Sequence, residues 1–291
     1  MNSTVMDSGR VLSLKVFAGV VAVCVGLGGA GSLQAQARDL KARELVRAAM
    51  QTELDASRDD HSHWAYKDVY KGESGEKVMK VVETGKGALK KTVAEDGRAL
   101  TPEKLKAEDE RIAAFVNDPA QQAKQHKDNM QDDKRAESML RMLPVAFVWS
   151  VKREDAKTTT LGFVPDPGFT PPTMESRVFA AMQGEIVVDN NQHRIQTIEG
   201  KLVSDVTFGW GLFGRMKKGG TFEIERRQLT TGVWQITESH VHIDGKALLF
   251  KSIGEQEDEV KTEFRRVGAD VTLEQAAERL KGEPSSLSAS R

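Results

Sequence analysis

Short alternating segments separated by turn residues fill 184–266 of this 291-residue chain. The turn signals recur at intervals of about 8–12 residues, a spacing typical of antiparallel strands joined in sequence. They are Asp189-Asn190-Asn191, Glu199-Gly200, Lys218-Gly219-Gly220, Thr231-Gly232 and Asp244-Gly245. This stretch therefore predicts an antiparallel meander around which the rest of the chain is organised.

Alternation inside the meander predicts a sheet with one apolar face, because successive strand side chains point to opposite sides. In 221–226 and 233–237 the large apolar residues share one parity and polar residues occupy the other. These apolar residues are Phe222, Ile224, Trp234 and Ile236. We expect them on the buried side of the sheet.

Three further strands are expected in the same region. A single strand is predicted over 202–208, and the continuously apolar 247–250 is expected near the middle of the sheet. The charged strand 258–265 has Val260 and Phe264 as the markers of its buried side.

Outside the meander, helical and strand periodicities alternate. They predict a helix over 39–57 capped by Asp39, strands over 63–70, 76–83 and 88–94, a helix from Thr101-Pro102, a polar solvated or mobile segment over 120–135, a strand from Val145, and a C-terminal helix. The predicted fold class is α+β, with a large curved antiparallel sheet, an incomplete β-barrel, packed over helices. One domain is expected over 38–268 with a helical insert at 101–143, followed by a C-terminal helix and disordered tail in 269–291.

The N-terminus has the pattern of a secretory signal peptide. Arg10 and Lys15 precede the apolar run 16–31, and Ala35-Gln36-Ala37 fits a small-x-small cleavage site. We expect removal of 1–37 and a periplasmic or secreted mature chain, with an uncleaved anchor as the alternative. Cleavage would also remove Cys24, the only cysteine, so neither disulfides nor thiolate chemistry are expected.

Composition and motifs argue against several functional classes. A net charge of −1 gives no indication of nucleic-acid binding. Nucleophile, zinc-protease and phosphate-loop signatures are not found, and we expect no cofactor. The glycines at 209, 211 and 214 precede a strand rather than a helix, which disfavours a dinucleotide site.

That glycine segment supports two interpretations. It is either a flexible connection or a mobile flap with an apolar tip and a cation behind it. The flap residues would be Trp210, Leu212, Phe213 and Arg215. An apolar tip beside a cation suits transient contact with a membrane or with an envelope partner protein.

Two His-x-His pairs keep a metal-dependent envelope enzyme open as an alternative function. They are His61 with His63, and His240 with His242. Each pair places two imidazoles on one strand face, a spacing that can chelate zinc or copper. Surface or hydrogen-bonded histidines are the other interpretation.

Large apolar residues of the predicted strands either fill the core or line a cavity between sheet and helices. The candidate lining residues are Phe147, Trp149, Phe208, Phe222, Ile224, Trp234, Ile236 and Phe250. Apolar walls with few polar groups select apolar ligands.

The order of strands and turns resembles a known family of exported bacterial proteins. The resemblance is carried by 163–172, 177–179, 184–189, 195–202 and the glycine segment within 208–221. These stretches are similar in layout to the outer-membrane lipoprotein-sorting carriers (LolA/LolB-like). The resemblance implies an incomplete barrel with a helical lid that holds acyl chains, and it carries over no catalytic residue.

The function expected from this resemblance is that of a non-enzymatic periplasmic carrier or binding protein for lipid or lipoprotein acyl chains. The sheet is expected to be bent, with an apolar inner side that the helices only partly fill. A structural envelope protein without a ligand remains the other alternative.

Overall fold

An open sheet of eleven antiparallel strands forms the frame of the molecule. The computed structural model describes residues 29–208, 214–247 and 256–282. The helices are α1 Gly29–Asp59, α2 Pro102–Val116, α3 Pro119–Ala146 and α4 Leu273–Gly282, with a 3-10 turn at Glu175–Ala181. The strands are β1 His63–Gly72, β2 Gly75–Thr84, β3 Gly87–Glu95, β4 Arg98–Ala99, β5 Phe147–Glu154, β6 Thr158–Pro165, β7 Met182–Asp189, β8 Ile195–Leu202, β9 Val206–Phe208, β10 Gly214–Met216, β11 Thr221–Thr230, β12 Val233–His242, β13 Gly245–Ala247 and β14 Gln256–Val267.

The large sheet has the strand order β4-β3-β2-β1-β14-β12-β11-β8-β7-β6-β5 and does not close into a barrel. A second sheet has the order β13-β10-β9. The predicted α+β class with a large, open antiparallel sheet is therefore confirmed. None of the helices in the described ranges combines the length and apolar character needed to cross a bilayer.

The helices differ from the sequence expectation at their ends. Thr101 caps α2 as predicted, and its side chain accepts a hydrogen bond from the Lys104 N–H. Asp39, however, lies inside α1, because the unbranched and small residues before it also favour a helix. Val145 falls in the last turn of α3, so β5 begins two residues later than expected, at Phe147.

One strand prediction and one turn prediction of the meander are wrong here. The segment 202–208 is broken, because Asp205 accepts the Lys218 N–H and separates β8 from β9. Gly200 lies inside β8 rather than in a turn, and a Cβ there would be 2.6 Å from the Phe222 ring. Glycine is needed at that position because the ring packs against the backbone.

The prediction of a central strand over 247–250 is also wrong at Ala247, the one residue of that segment that the structure describes. Ala247 ends β13 and pairs with Gly214 in the small sheet. Residues 248–250 lie outside the described ranges.

A bulge changes the faces of β14. The register slips by one residue opposite β1, and Glu263 there has a φ of 59°. Phe264 stacks on Tyr66 with ring centroids 5.1 Å apart, whereas Val260 pairs with Val69, whose side chain points to the other side. The alternation predicts Val260 and Phe264 on the same buried side of the strand, but the bulge places them on opposite sides.

The register shows which side of the sheet each helix covers, because residues paired across strands point to the same side. One side carries, from β7 to β2, Ile186, Ile198, Ile224, Ser239, Glu259, Tyr70 and Lys77. We call this side the inner face. Helix α1 packs on it over β5–β8, where Val46 and Met50 join the same apolar cluster as Ile186.

Helices α2 and α4 pack on the opposite, outer face of β1–β3. Val82 and Leu89 form a separate cluster there with Ile112 of α2 and Leu280 of α4. Val81, the neighbour of Val82 along β2, points to the inner face and is also buried. The described apolar core is thus divided between the two faces, and the expectation of a single apolar inner surface is wrong.

The inner face becomes charged on passing from β12 to β3. The residues that occupy it there include Asp68, Glu83, Lys90, Glu259 and Lys261. Lys90 lies 3.1 Å from Asp68 and 4.0 Å from Glu259. Within the described residues this half of the inner face carries ion pairs and has no covering helix.

Candidate functional site

A pocket of about 390 Å³ lies where the apolar and charged halves of the inner face meet. Its walls come from the C-terminal half of α1, from α3, and from β8, β11 and β12. The apolar lining consists of Leu140, Ile195, Ile198, Ile224, Trp234 and Ile236. Ile236 is 40% exposed, which places it at the opening of the pocket.

A bulge in β12 brings Trp234 and Ile236 to this pocket. The register with β11 slips between Glu225 and Arg226, which leaves Thr237 as the extra residue on β12. Even-numbered residues of β12 face inward before this bulge and odd-numbered ones after it. The indole N–H of Trp234 donates to the Gln192 side-chain oxygen at 3.1 Å, which fixes the ring against the wall.

The opposite end of the pocket is polar and is built around Glu53 of α1. Its Oε1 accepts hydrogen bonds from Arg194 Nε at 3.1 Å and from the Ile195 N–H at 2.8 Å. Its Oε2 lies 3.1 Å from Arg194 Nη2 and 2.5 Å from Arg226 Nη1. The side chains of Glu53 and Arg194 are each 7% exposed, and that of Arg226 is 18% exposed.

Glu53 remains ionised in this setting. Burial alone would raise its pKa, but the charge and hydrogen bond of Arg226, with the hydrogen bonds of Arg194 and Ile195, hold the pKa below its ordinary value. The three side chains therefore form a buried carboxylate with two guanidinium groups.

Comparisons with known proteins leave the chain without a family assignment. No family model, curated protein or solved structure matches it. The likeness to lipoprotein-sorting carriers accordingly stays a prediction drawn from strand and turn order.

The structure brings together some of the predicted cavity residues and separates others. Ile224, Trp234 and Ile236 line the same pocket. Phe147 and Trp149 are each 1% exposed and instead fill the main core, with ring centroids 5.8 Å apart. These two aromatic residues serve packing.

The remaining predicted cavity residues are Phe222, Phe208 and Phe250. Phe222 is half-buried and packs against the main core. Phe208 ends β9 in the small sheet, and Phe250 lies outside the described residues.

Most of the predicted flap cannot be placed. Trp210, Leu212 and Phe213 lie outside the described residues. Arg215 is exposed on β10 and pairs with Asp205, so its positive charge already has a partner.

The histidine pairs are not assembled into one site. In the sheet register His63 lies opposite Val267 of β14, and His240 lies opposite Asp258 of the same strand. Asp258 precedes Val267 by nine residues. At about 3.3 Å per residue, this separates the two pairs by roughly 30 Å. Within the described ranges no group of three or more His, Cys, Asp or Glu residues is arranged to hold a metal ion.

His240 and His242 instead share one carboxylate on the outer face. His240 Nδ1 lies 2.7 Å and His242 Nε2 lies 3.0 Å from Asp258 Oδ1. The hydrogen bond from His240 to Asp258 raises the pKa of His240, and the same bond lowers the pKa of Asp258. His240 and His242 are therefore hydrogen-bonded histidines, which is the alternative to a metal site that the sequence left open.

The charged end of the pocket was not anticipated from the sequence, although a signal for it exists. Glu53 follows Val46 and Met50 at helical spacing and so lies within the apolar stripe of α1. Arg226 continues the inward parity of Phe222 and Ile224 on β11. A charged residue at an apolar position is a better indicator of a site than another apolar one.

Proposed function

We propose that the protein is a non-enzymatic binding protein that takes one acyl chain, of a lipid or of a lipoprotein, into the inner-face pocket. The supporting observation is the pocket itself, whose walls are mainly four isoleucines, a leucine and a tryptophan. Its volume of about 390 Å³ lies within the roughly 300–1,000 Å³ range of small-molecule sites. Apolar walls stabilise a bound chain by about 25 cal/mol per Å² of buried surface.

The division of the core limits the capacity of this site. The cluster over β5–β8 and the cluster beneath α4 are both filled by the chain's own side chains. These two clusters lie on opposite faces of the sheet, and the inner face over β14 and β1–β3 carries charged residues in place of an apolar surface. A continuous trough for several chains is therefore disfavoured, and we propose a single bound chain.

The pocket is tested by placing a charge in its opening. Ile236→Glu is expected to weaken binding of an alkyl ligand by at least about tenfold in titration calorimetry, because a carboxylate would have to be buried against the chain. Val164→Glu is the matched control, since Val164 is also apolar and is 47% exposed against 40% for Ile236. It lies on β6, whose residues do not line the pocket.

Binding that is unaffected by either substitution would move the site elsewhere. A native chain that binds no alkyl ligand at all, and that yields no lipid to organic solvent after purification, would favour the structural envelope protein.

The proposed location is the periplasm or the cell exterior, supported by the N-terminal sequence pattern. Cleavage after Ala37 would remove the first turns of α1 and leave Ala42, Val46, Ala49, Met50 and Glu53, which are its buried residues within the described ranges. N-terminal sequencing of protein secreted with its own leader is expected to begin at Arg38. A chain that retains residues 1–37 would contradict export by cleavage.

A further inference from the structure

Arg226 has hydrogen-bonding capacity that the folded chain does not use. A guanidinium group carries five N–H donors. Arg226 directs Nη1 to Glu53 at 2.5 Å and Nη2 to the Trp234 carbonyl at a long 3.5 Å, and its Nε has no partner in the described part of the chain. The side chain lines the pocket.

Arg194, by contrast, has a partner at each of its three side-chain nitrogens. Its Nε and Nη2 bind Glu53, and its Nη1 donates to the Gly232 carbonyl at 3.0 Å. Glu53 accepts two hydrogen bonds at Oε1 and makes two ion-pair contacts at Oε2, so both oxygens have partners. The trio therefore carries one net positive charge, and Arg226, the more exposed of the two guanidinium groups, presents that charge to the pocket.

Asp60 is the other charged group that lines the pocket. Its Oδ1 accepts the Ser62 N–H at 2.8 Å. It lies seven residues beyond Glu53, roughly 10 Å along the axis of α1. A group in contact with Arg226 is therefore attracted more strongly by that guanidinium than it is repelled by Asp60.

We infer that the bound chain ends in an anion, a carboxylate or a phosphate, that accepts hydrogen bonds from Arg226 while the hydrocarbon lies along Ile198, Ile224 and Ile236. This inference rests on the proposed function. A guanidinium presents paired donors that match the two oxygens of either anion, and such charge-assisted bonds are about twice as strong as neutral ones. The ligand class is an amphipathic acid with a single chain.

The test compares ligands that share one chain length and differ only at their end. An alkanoic acid, the alkanol, the alkylamine and the alkyl phosphate are titrated calorimetrically into the native protein at neutral pH, below micelle formation. The acid is expected to bind at least about tenfold more tightly than the alkanol, and the amine more weakly than both. Tighter binding of the phosphate than of the acid identifies a phosphate end, and the reverse order identifies a carboxylate.

Variants locate the effect at Arg226. Arg226→Gln is expected to abolish the preference of the protein for the acid over the alkanol, a loss of at least about tenfold in the ratio of the two affinities. Arg226→Lys keeps the charge but loses the paired donors, and should retain part of the preference. Arg227→Gln is the matched control, because the neighbouring side chain points to the outer face and pairs with Glu225 and Glu238.

The outcomes distinguish the inference of an anionic end from the proposed binding of an acyl chain. Equal affinities for the acid and the alkanol would overturn the anionic end and leave acyl-chain binding intact. Failure of all four ligands to bind would remove both. Because the ligand series uses the native chain, this result does not depend on whether any variant folds.

Discussion

The two halves of the inner face solve the same packing problem differently. Over β5–β8 the sheet is covered by α1, and aromatic residues such as Phe147 and Trp149 fill the space completely. Over β14 and β1–β3 the helices lie on the other face, and the inner face holds Asp68, Lys90 and Glu259. The pocket is found where these two arrangements meet, because neither of them fills the space above β11 and β12.

This difference suggests a division of roles. The half covered by α1 forms a close-packed frame that positions Glu53 and Arg194. The charged half lacks a covering helix within the described residues and begins at β14, next to the pocket strand β12. The following experiments test whether the two halves differ in the way that their contacts indicate.

The largest expected effect compares the same residue type in both halves. Trp149→Ala should reduce the free energy of unfolding by about 3–5 kcal/mol, because the ring is 1% exposed and packs against both Phe147 and Phe163. Trp64→Ala should cost at least about 1 kcal/mol less, since its one aromatic contact in the described part of the chain is with Phe264, at a centroid distance of 6.2 Å. Urea unfolding of both variants measures the difference, and equal costs would show that the halves are equally well packed.

The next effect concerns the buried ion trio at the boundary. Glu53→Gln should reduce the free energy of unfolding by about 3 kcal/mol, because it leaves two guanidinium groups without their carboxylate. Removing one partner of a buried ion pair usually costs about 3–5 kcal/mol. The lower end of this range is expected here because Arg226 is 18% exposed. Glu238→Gln, whose partner Arg227 is 60% exposed, should change the free energy by no more than about 1 kcal/mol. A small effect at Glu53 would mean that water already reaches the trio.

Much of the strand pattern could be predicted from the sequence, because alternation needs only neighbouring residues. The inward positions of Ile224 and Ile236 follow from it directly. The bulges at Thr237 and Glu263 could not be foreseen, since each is decided by the partner strand, and a single extra residue reverses every face beyond it. For this reason Val260 and Phe264 were assigned to one side incorrectly.

The sequence also could not predict which side of the sheet each helix covers. The apolar residues of α4 recur at helical spacing in the sequence, and all four are buried: Leu273, Ala276, Ala277 and Leu280. This spacing contains no information about whether Val81 or Val82 is their partner, because β2 is buried on both faces. The ion trio depends on three distant segments and likewise required the fold.

A smaller effect is expected from the pH dependence of the charged half. Burial raises the pKa of Asp68, and the charge of Lys90 only partly opposes this rise; among the described residues Asp68 Oδ1 has no hydrogen-bond partner. A raised pKa means that the folded chain holds this proton more tightly. The contribution to stability is therefore full below the unfolded pKa of about 3.9 and is lost as the pH rises through the folded pKa.

Asp68→Asn isolates this contribution, because Glu83, Lys90, Glu259 and Lys261 face the position in both proteins. The free energy of unfolding of the native chain minus that of the variant should fall, by on the order of 1 kcal/mol, as the pH rises from 4 to 7. Urea unfolding at each pH provides the measurement. A difference that rises with pH would show that the ion pair with Lys90 outweighs burial.

The smallest expected effect lies on the outer face, where the histidines that suggested a metal site meet Asp258. A His240 pKa raised by the hydrogen bond to Asp258 contributes stability below the unfolded value of about 6.5, and this is lost as the pH rises through the folded pKa. The lowered pKa of Asp258 contributes above about 3.9 and is lost in acid. His240→Asn should thus cost about 0.5 kcal/mol near pH 5.5 and almost nothing at pH 8. In a double-mutant cycle with Asp258→Asn the coupling should disappear over the same interval. A coupling that persists at pH 8 or depends on added zinc would contradict the hydrogen-bonded pair and restore the metal interpretation for this edge of the sheet.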